Sequence, residues 1–246
     1  GFVAPGFFLD KSGADEIVLT AATDIGRDPF STAELTIQPD PGLALPVVEP
    51  IAQPAALATT PVSGGTAGLY GGSLNDAVCD TGKIVEFLGA NPDKAAAWVK
   101  AVTADPAVQL RNGQPLTVQE IPQYLAGLTS VVLTFDTRAT NHGFENGEPT
   151  AFQAVLQKGT AVLVDQWGVP RARCYCANPL APAVTVPGAE LTGNTWEGFD
   201  PQNVQQIDPS PEPQHVLVLT DIGTLVSGTP TFIDRAVGTS GNDNAN

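Results

Sequence analysis

The chain has 246 residues, 42% of them hydrophobic and only 15% charged, which allows one large domain or two small ones with a core that needs no metal. Lysine plus arginine number 11 against 26 acidic residues, a net charge of −15. That balance leaves no basic face for nucleic acid and no polybasic segment for an anionic membrane surface, so neither partner is expected.

The opening stretch Gly1–Leu9 is apolar but lacks the basic start and small-residue cleavage site of a signal peptide. With no methionine anywhere, the chain reads as a mature form or a fragment. No run of 18 apolar residues occurs, so direct membrane insertion is not expected.

Glu16–Thr20 is short and β-branched and predicts a strand. Asp28-Pro29-Phe30 predicts a turn. Residues 38–65 carry Pro39, Pro41, Pro46, Pro50, Pro54 and Pro61, which disfavour a helix or a central strand and predict an extended connector. Residues 1–37 are then an N-terminal strand segment, 66–236 a main domain on which that strand packs, and 237–246 a disordered tail.

The middle is helical. Asp80 to Leu88 predicts a helix capped by Asp80 and Gly89. Asn91-Pro92-Asp93 opens a second, running through Trp98. Arg111 to Gln114 predicts a turn. Thr117 and Glu120 make a capping-box pattern that opens a third helix toward Leu125, with Pro122 tolerated in its first turn.

Strands follow. Ser130–Phe135 and Thr160–Val164 predict strands, Asn146-Gly147 a tight turn, and Phe152–Leu156 a strand or helix. Gln166-Trp167-Gly168 turns the chain, and Val169 to Cys176 returns as a hairpin partner. Asn178 to Pro187 is again proline-rich. Val216–Leu219 and Thr231–Ala236 predict late strands. The expected class is α+β: a mixed or antiparallel sheet, a short helical segment in the middle of the chain and long Pro-rich connectors.

The three cysteines are Cys79, Cys174 and Cys176. Cys174 and Cys176 are two apart on a predicted strand and so share a face. Cys79 pairing with one of them would close a loop of about 95 residues, worth about 4 kcal/mol in the chain-entropy model. A three-cysteine metal site would want a fourth ligand, and only His142 and His215 are available, without a motif. Neither a metal nor another cofactor is expected.

Catalytic signatures are sparse. Asp80-Thr81-Gly82 spells an aspartic-protease triplet, but Asp80 stands at a helix start and Asp221-Ile222-Gly223-Thr224 echoes the triplet only loosely. There is no Gly-x-Ser-x-Gly elbow. The glycine-rich Ser63–Ser73 lacks the lysine of a phosphate loop. Asp136 could orient His142, without an evident nucleophile. Among the tryptophans, Trp98 suits a core, while Trp167 and Trp196 lie near turns and could stack on sugars or peptides. Together with Asn141, His142 and Phe144 they form the candidate binding surface.

Several motifs taken together resemble a known family. They are Gly68-Leu69-Tyr70-Gly71-Gly72, Cys79-Asp80, Thr140-Asn141-His142-Gly143-Phe144, the run from Val155 to Asp165, and the run from Gly168 to Leu180. The family is a domain of unknown function of envelope proteins in high-GC Gram-positive bacteria, and the similarity spans about Glu16 to Arg235. Ala177 stands where the pattern expects a glycine before Asn178-Pro179-Leu180. The resemblance implies an outward-facing domain, often behind a membrane anchor, and transfers no catalytic residue. Two function classes follow. The first is a non-catalytic extracytoplasmic cell-envelope module (binding, sensory or structural) whose partner is an envelope protein or cell-wall component. The second is an envelope hydrolase or redox or metal protein using Asp136, His142 and the Cys174/Cys176 pair.

Overall fold

A computed structural model describes residues 16–35, 47–48, 61–73, 77–108, 114–225, 231–239 and 244–245. The chain opens with β1 (Glu16–Thr20), β2 (Val47–Val48), β3 (Pro61–Ser63) and β4 (Tyr70–Gly72). Helices α1 (Thr81–Ala90), α2 (Pro92–Thr103) and α3 (Ile121–Ala126) follow. Next come β5 (Thr129–Leu133), β6 (Thr137–Glu145), β7 (Glu148–Leu156), β8 (Ala161–Val164), β9 (Pro170–Arg173) and β10 (Asn178–Ala181). The chain continues through β11 (Glu190–Thr192), β12 (Thr195–Trp196), β13 (Gln205–Asp208) and β14 (Val216–Asp221). One helical turn, α4 (Ile222–Leu225), leads to β15 (Phe232–Ala236) and β16 (Asn244–Ala245). This is the expected α+β class, a mixed sheet with a few short helices.

The sheet order is β11-β1-β7-β6-β10-β9-β8-β5-β4-β14-β15-β16, with β13 joining β6 to β3. From β7 to β4 every neighbouring pair is antiparallel. β1 pairs in parallel with both β7 and β11. The β6–β7 hairpin turns on Asn146 and Gly147, whose φ angles of 52° and 84° are those a two-residue turn between twisted strands requires. β3 begins on Pro61 and pairs only with β13 among the described residues, an edge position where the missing N–H is harmless. The expected turn at residues 111–114 lies mostly outside the described residues.

The helical middle follows its capping signals with one shift. Asp80 is the N-cap of α1, accepting from the Lys83 N–H at 3.0 Å. Gly89 does not end the helix, which runs to Ala90 and stops at Asn91. The cause is Pro92: its ring pushes the preceding residue out of the helical region, and Asn91 sits at φ −128°, ψ 78°. Thr117 and Glu120 form the capping box ahead of α3.

The hairpin after Trp167 also differs from expectation. β9 ends at Arg173, and residues 174–177 are a turn rather than strand. Asn178–Ala181, inside a stretch that reads as proline-rich connection, is the buried strand β10. Its pairing to β6 begins at Leu180, after the proline, so no bond on that side needs the absent N–H.

Among the described residues, three apolar clusters hold the fold together. Ile84, Leu88, Trp98 and Leu125 of the helices pack on Leu163, Ala172 and Cys174. Val131, Leu133, Leu156, Val162 and Leu219 form the second. Ile17, Leu19, Val155, Leu191 and Trp196 form the third, joining β1 to the main sheet. Cys79 and Cys174 are joined by a disulfide across 5.5 Å between Cα atoms, closing 95 residues, and cross-link the start of the helical segment to the β9–β10 turn. In the chain-entropy model that link is worth about 4 kcal/mol.

Candidate functional site

Most residues singled out in the sequence are engaged in holding the fold. His142, on β6, is 3% exposed. Burial holds its imidazole neutral, with the pKa lowered from 6.5 to about 4 against an opposing bond to Pro179. Nδ1 lies 3.2 Å from the Pro179 carbonyl oxygen, which can only accept, so the proton sits on Nδ1. Asn141 is wholly buried, and neither of its amide atoms has a partner. Phe144 stacks at 5.4 Å on Phe30.

Asp136 precedes β6. Its Oδ1 accepts from the Lys158 N–H at 2.8 Å and its Oδ2 from the indole of Trp196 at 2.9 Å. Burial raises its carboxyl above the ordinary value, with those two bonds opposing. Trp196 is itself buried, edge-on to Phe199 at 5.0 Å. Asp136 and His142 are six residues apart along extended chain, about 20 Å by strand rise. The two are therefore not brought together. Cys176 is a buried free thiol whose Sγ lies 3.6 Å from Nη1 of Arg173. Among the described residues no group of three or more His, Cys, Asp or Glu is arranged to hold a metal.

Trp167 has a different setting. It is half-buried in the β8–β9 turn and lines a cleft of about 780 Å³ together with Glu120, Gln123, Tyr124, Asp165 and Gln214. The cleft runs between α3 and the turn at residues 165–168. Its wall is fixed by Asp165, whose Oδ1 accepts from the N–H groups of Trp167 (2.8 Å) and Val169 (3.0 Å).

Asp165 also belongs to an ion cluster that sequence reading missed. Arg171, 1% exposed, donates Nε to Asp165 Oδ2 at 2.7 Å and Nη1 to Asp105 Oδ2 at 2.5 Å. Its Nη2 is buried with no partner, and so is the hydroxyl of Tyr124. Burial raises the Tyr124 phenol above its ordinary value, while Arg171 lowers it and Asp165 and Asp105 raise it. Those three charges therefore stand close to the orphaned hydroxyl. The available signal was the pair Arg171 and Arg173 in a predicted strand: alternating charges on the buried face of a hairpin require buried partners.

The fold and this site define a class: a disulfide-linked, mixed-sheet α+β domain with a buried ion cluster joined through Asp165 to a cleft lined by Tyr124 and Trp167. The chain belongs to the family described as a domain of unknown function, DUF6777, which matches residues 60–227. Tyr124, Asp165, Trp167 and Arg171 all fall within that match. No solved structure matches the chain.

Proposed function

We propose that this chain is a non-catalytic, extracytoplasmic module of the cell envelope, and that it binds its partner in the cleft between α3 and the β8–β9 turn. The observation that carries the reading is a cleft of about 780 Å³ lined by the half-buried Trp167 and by Glu120, Gln123, Asp165 and Gln214. Asp136 and His142, by contrast, are bonded within the fold. A concave site of this size with convergent polar groups is where a ligand binds. The Cys79–Cys174 disulfide supports an oxidising compartment, as does the family resemblance. Residues 66–236 act as the main domain in this reading, with β1 part of its sheet, and the partner is an envelope protein or cell-wall component.

The test is retention of solubilised envelope components by the immobilised chain. Wild type retains a component and Trp167→Ala, at unchanged thermal midpoint, does not. Turnover of any substrate that vanishes with Asp136→Asn or His142→Gln, both still folded, would sink the proposal in favour of an enzyme.

A further inference from the structure

We infer that the cleft takes a cationic ligand, one whose ammonium groups are held by Glu120 and Asp165 beside the indole of Trp167; the inference rests on the cleft being the binding site. Charge gives the first argument. Glu120 and Asp165 both line the cleft. Among the described residues no lysine or arginine lines it, and His215 is its one basic side chain. Arg171, buried behind Asp165, is shared between Asp105 and Asp165. Two carboxylates thus face one guanidinium, leaving one negative charge over, and Glu120 adds another. The chain as a whole carries −15, which favours the approach of a cation before any contact forms.

Hydrogen-bond roles give the second. A carboxylate offers about four acceptor sites. Asp165 uses two on Oδ1, for the N–H groups of Trp167 and Val169, and one on Oδ2, for Nε of Arg171; its side chain is 15% exposed. Glu120 accepts from the N–H and hydroxyl of Thr117 on Oε2 alone, at 2.9 and 2.6 Å, and among the described residues nothing donates to its Oε1. Ala126 and Gly127 bring the carbonyl end of α3 to the same lining, and carbonyls only accept. This surplus of acceptors calls for donors, and an ammonium group has three with no acceptor. A neutral hydroxyl bonds the same oxygens but gains nothing from the excess charge, and an anion is repelled by it.

The walls give the third. Trp167 is half-buried in the lining, and an indole is the aromatic ring that attracts a cation most strongly. A volume of about 780 Å³ lies in the range of small-ligand sites, so the ligand is a cation on a carbon frame rather than a bare ion. That chemistry has two sources, the basic side chains of a partner protein and free polyamines.

The experiment titrates three probes into the full chain by calorimetry and tryptophan fluorescence: end-capped tri-lysine, the same peptide with its side-chain amines acetylated, and spermidine. Trp98 and Trp196 are buried, so a ligand-dependent fluorescence change reports on Trp167. Tri-lysine is expected to bind one-to-one with a Kd between about 10 μM and 1 mM, more weakly as salt rises, and its acetylated form not to bind. Glu120→Gln should weaken binding about fivefold; glutamine serves as well as glutamate at this place in a capping box, so the fold is kept. Trp167→Ala should weaken it about three- to tenfold. Glu197→Gln removes the same charge from an exposed residue outside the cleft and should leave the affinity unchanged. Spermidine bound as tightly as tri-lysine supports a free polyamine as the source, and a clear preference for tri-lysine supports a basic protein segment. An equal loss in Glu120→Gln and Glu197→Gln overturns the inference, because diffuse attraction to an acidic surface then explains the binding. Equal binding of the acetylated peptide, abolished by Trp167→Ala, overturns the cation and leaves the cleft as the site. Binding of no probe also overturns the cation, and envelope retention by wild type but not Trp167→Ala then decides the cleft separately.

Discussion

Arg171 and Arg173 stand two residues apart on β9, both inaccessible to solvent, and their charges are balanced in opposite ways. Arg171 is bridged to two carboxylates, and each guanidinium keeps one buried N–H without a partner, Nη2 of Arg171 and Nε of Arg173. Arg173 meets no carboxylate among the described residues. Its guanidinium instead bonds the carbonyls of Ala21, Ala22, Asp24 and Ile25, gathering the loop after β1 around one group. Dipoles of neutral carbonyls hold a loop in place and do not titrate. A cluster of ions with an excess negative charge is sensitive to what lies beside it. The first arginine braces Asp165 in the wall of the cleft, and the second is a fastener.

The largest effect should come from breaking the ionic side. Arg171→Met leaves Asp105 and Asp165 buried without their cation, at a cost of about 3–5 kcal/mol. Denaturant unfolding at pH 7 measures it; a loss no larger than that of Arg173→Met would remove the ionic half of the comparison.

The wild-type background has a pH slope of its own. His142 has a folded pKa of about 4 against 6.5 for the free side chain. The unfolded chain therefore binds more protons between those values, and stability rises with pH across that window. About 3 kcal/mol is present in full above pH 6.5 and is lost as pH falls to about 4. His142→Gln should flatten that slope, and it is the background on which the two arginines are best compared. A slope unchanged by the substitution would place the pH dependence elsewhere.

Arg173→Met should cost less, about 2–3 kcal/mol, since it strands neutral carbonyls that can partly rehydrate at the loop. On the His142→Gln background its cost should be the same at pH 4 and pH 7. Hydrogen exchange should report loosening in residues 21–25. A pH-dependent cost would mean that a carboxylate shares this guanidinium.

The sequence made the caps and turns legible and both buried arginines obscure, for a physical reason. Caps, turns and strands are local. Asp80, the Thr117–Glu120 box and Asn146-Gly147 act within four residues and can be read directly. The pairing of Cys79 with Cys174 was narrowed to two choices because cysteine chemistry offers few partners. Arg171, Asp105 and Tyr124 come from β9, the segment after α2, and α3, as much as 66 residues apart, and no local pattern links them. His142 and Asn141 drew attention because a histidine in a short polar motif looks functional. Whether it faces solvent depends on β10 pairing beside it, and a proline-rich stretch conceals that strand.

The smallest effect tests whether the contrast lies in the two side chains or in the turn that follows them. Ala177 has a φ of 59°, a left-handed conformation in which a side chain is strained, and its carbonyl accepts the Trp98 indole at 2.9 Å. This is the position where the family pattern led us to expect glycine, and the backbone supplies the reason. Ala177→Val puts a β-branched side chain into that conformation and should cost about 2 kcal/mol or more. Ala177→Gly relieves the strain but gives up a buried methyl group and frees the unfolded chain. These terms are each about 1 kcal/mol and oppose one another, so the net change should stay within about 1 kcal/mol. If the turn only connects β9 to β10, neither substitution alters the cost of the Arg171 and Arg173 substitutions, and the energies add. Should Ala177→Gly change either cost, the turn's geometry sets how β9 presents its arginines, and the division between them belongs to the backbone.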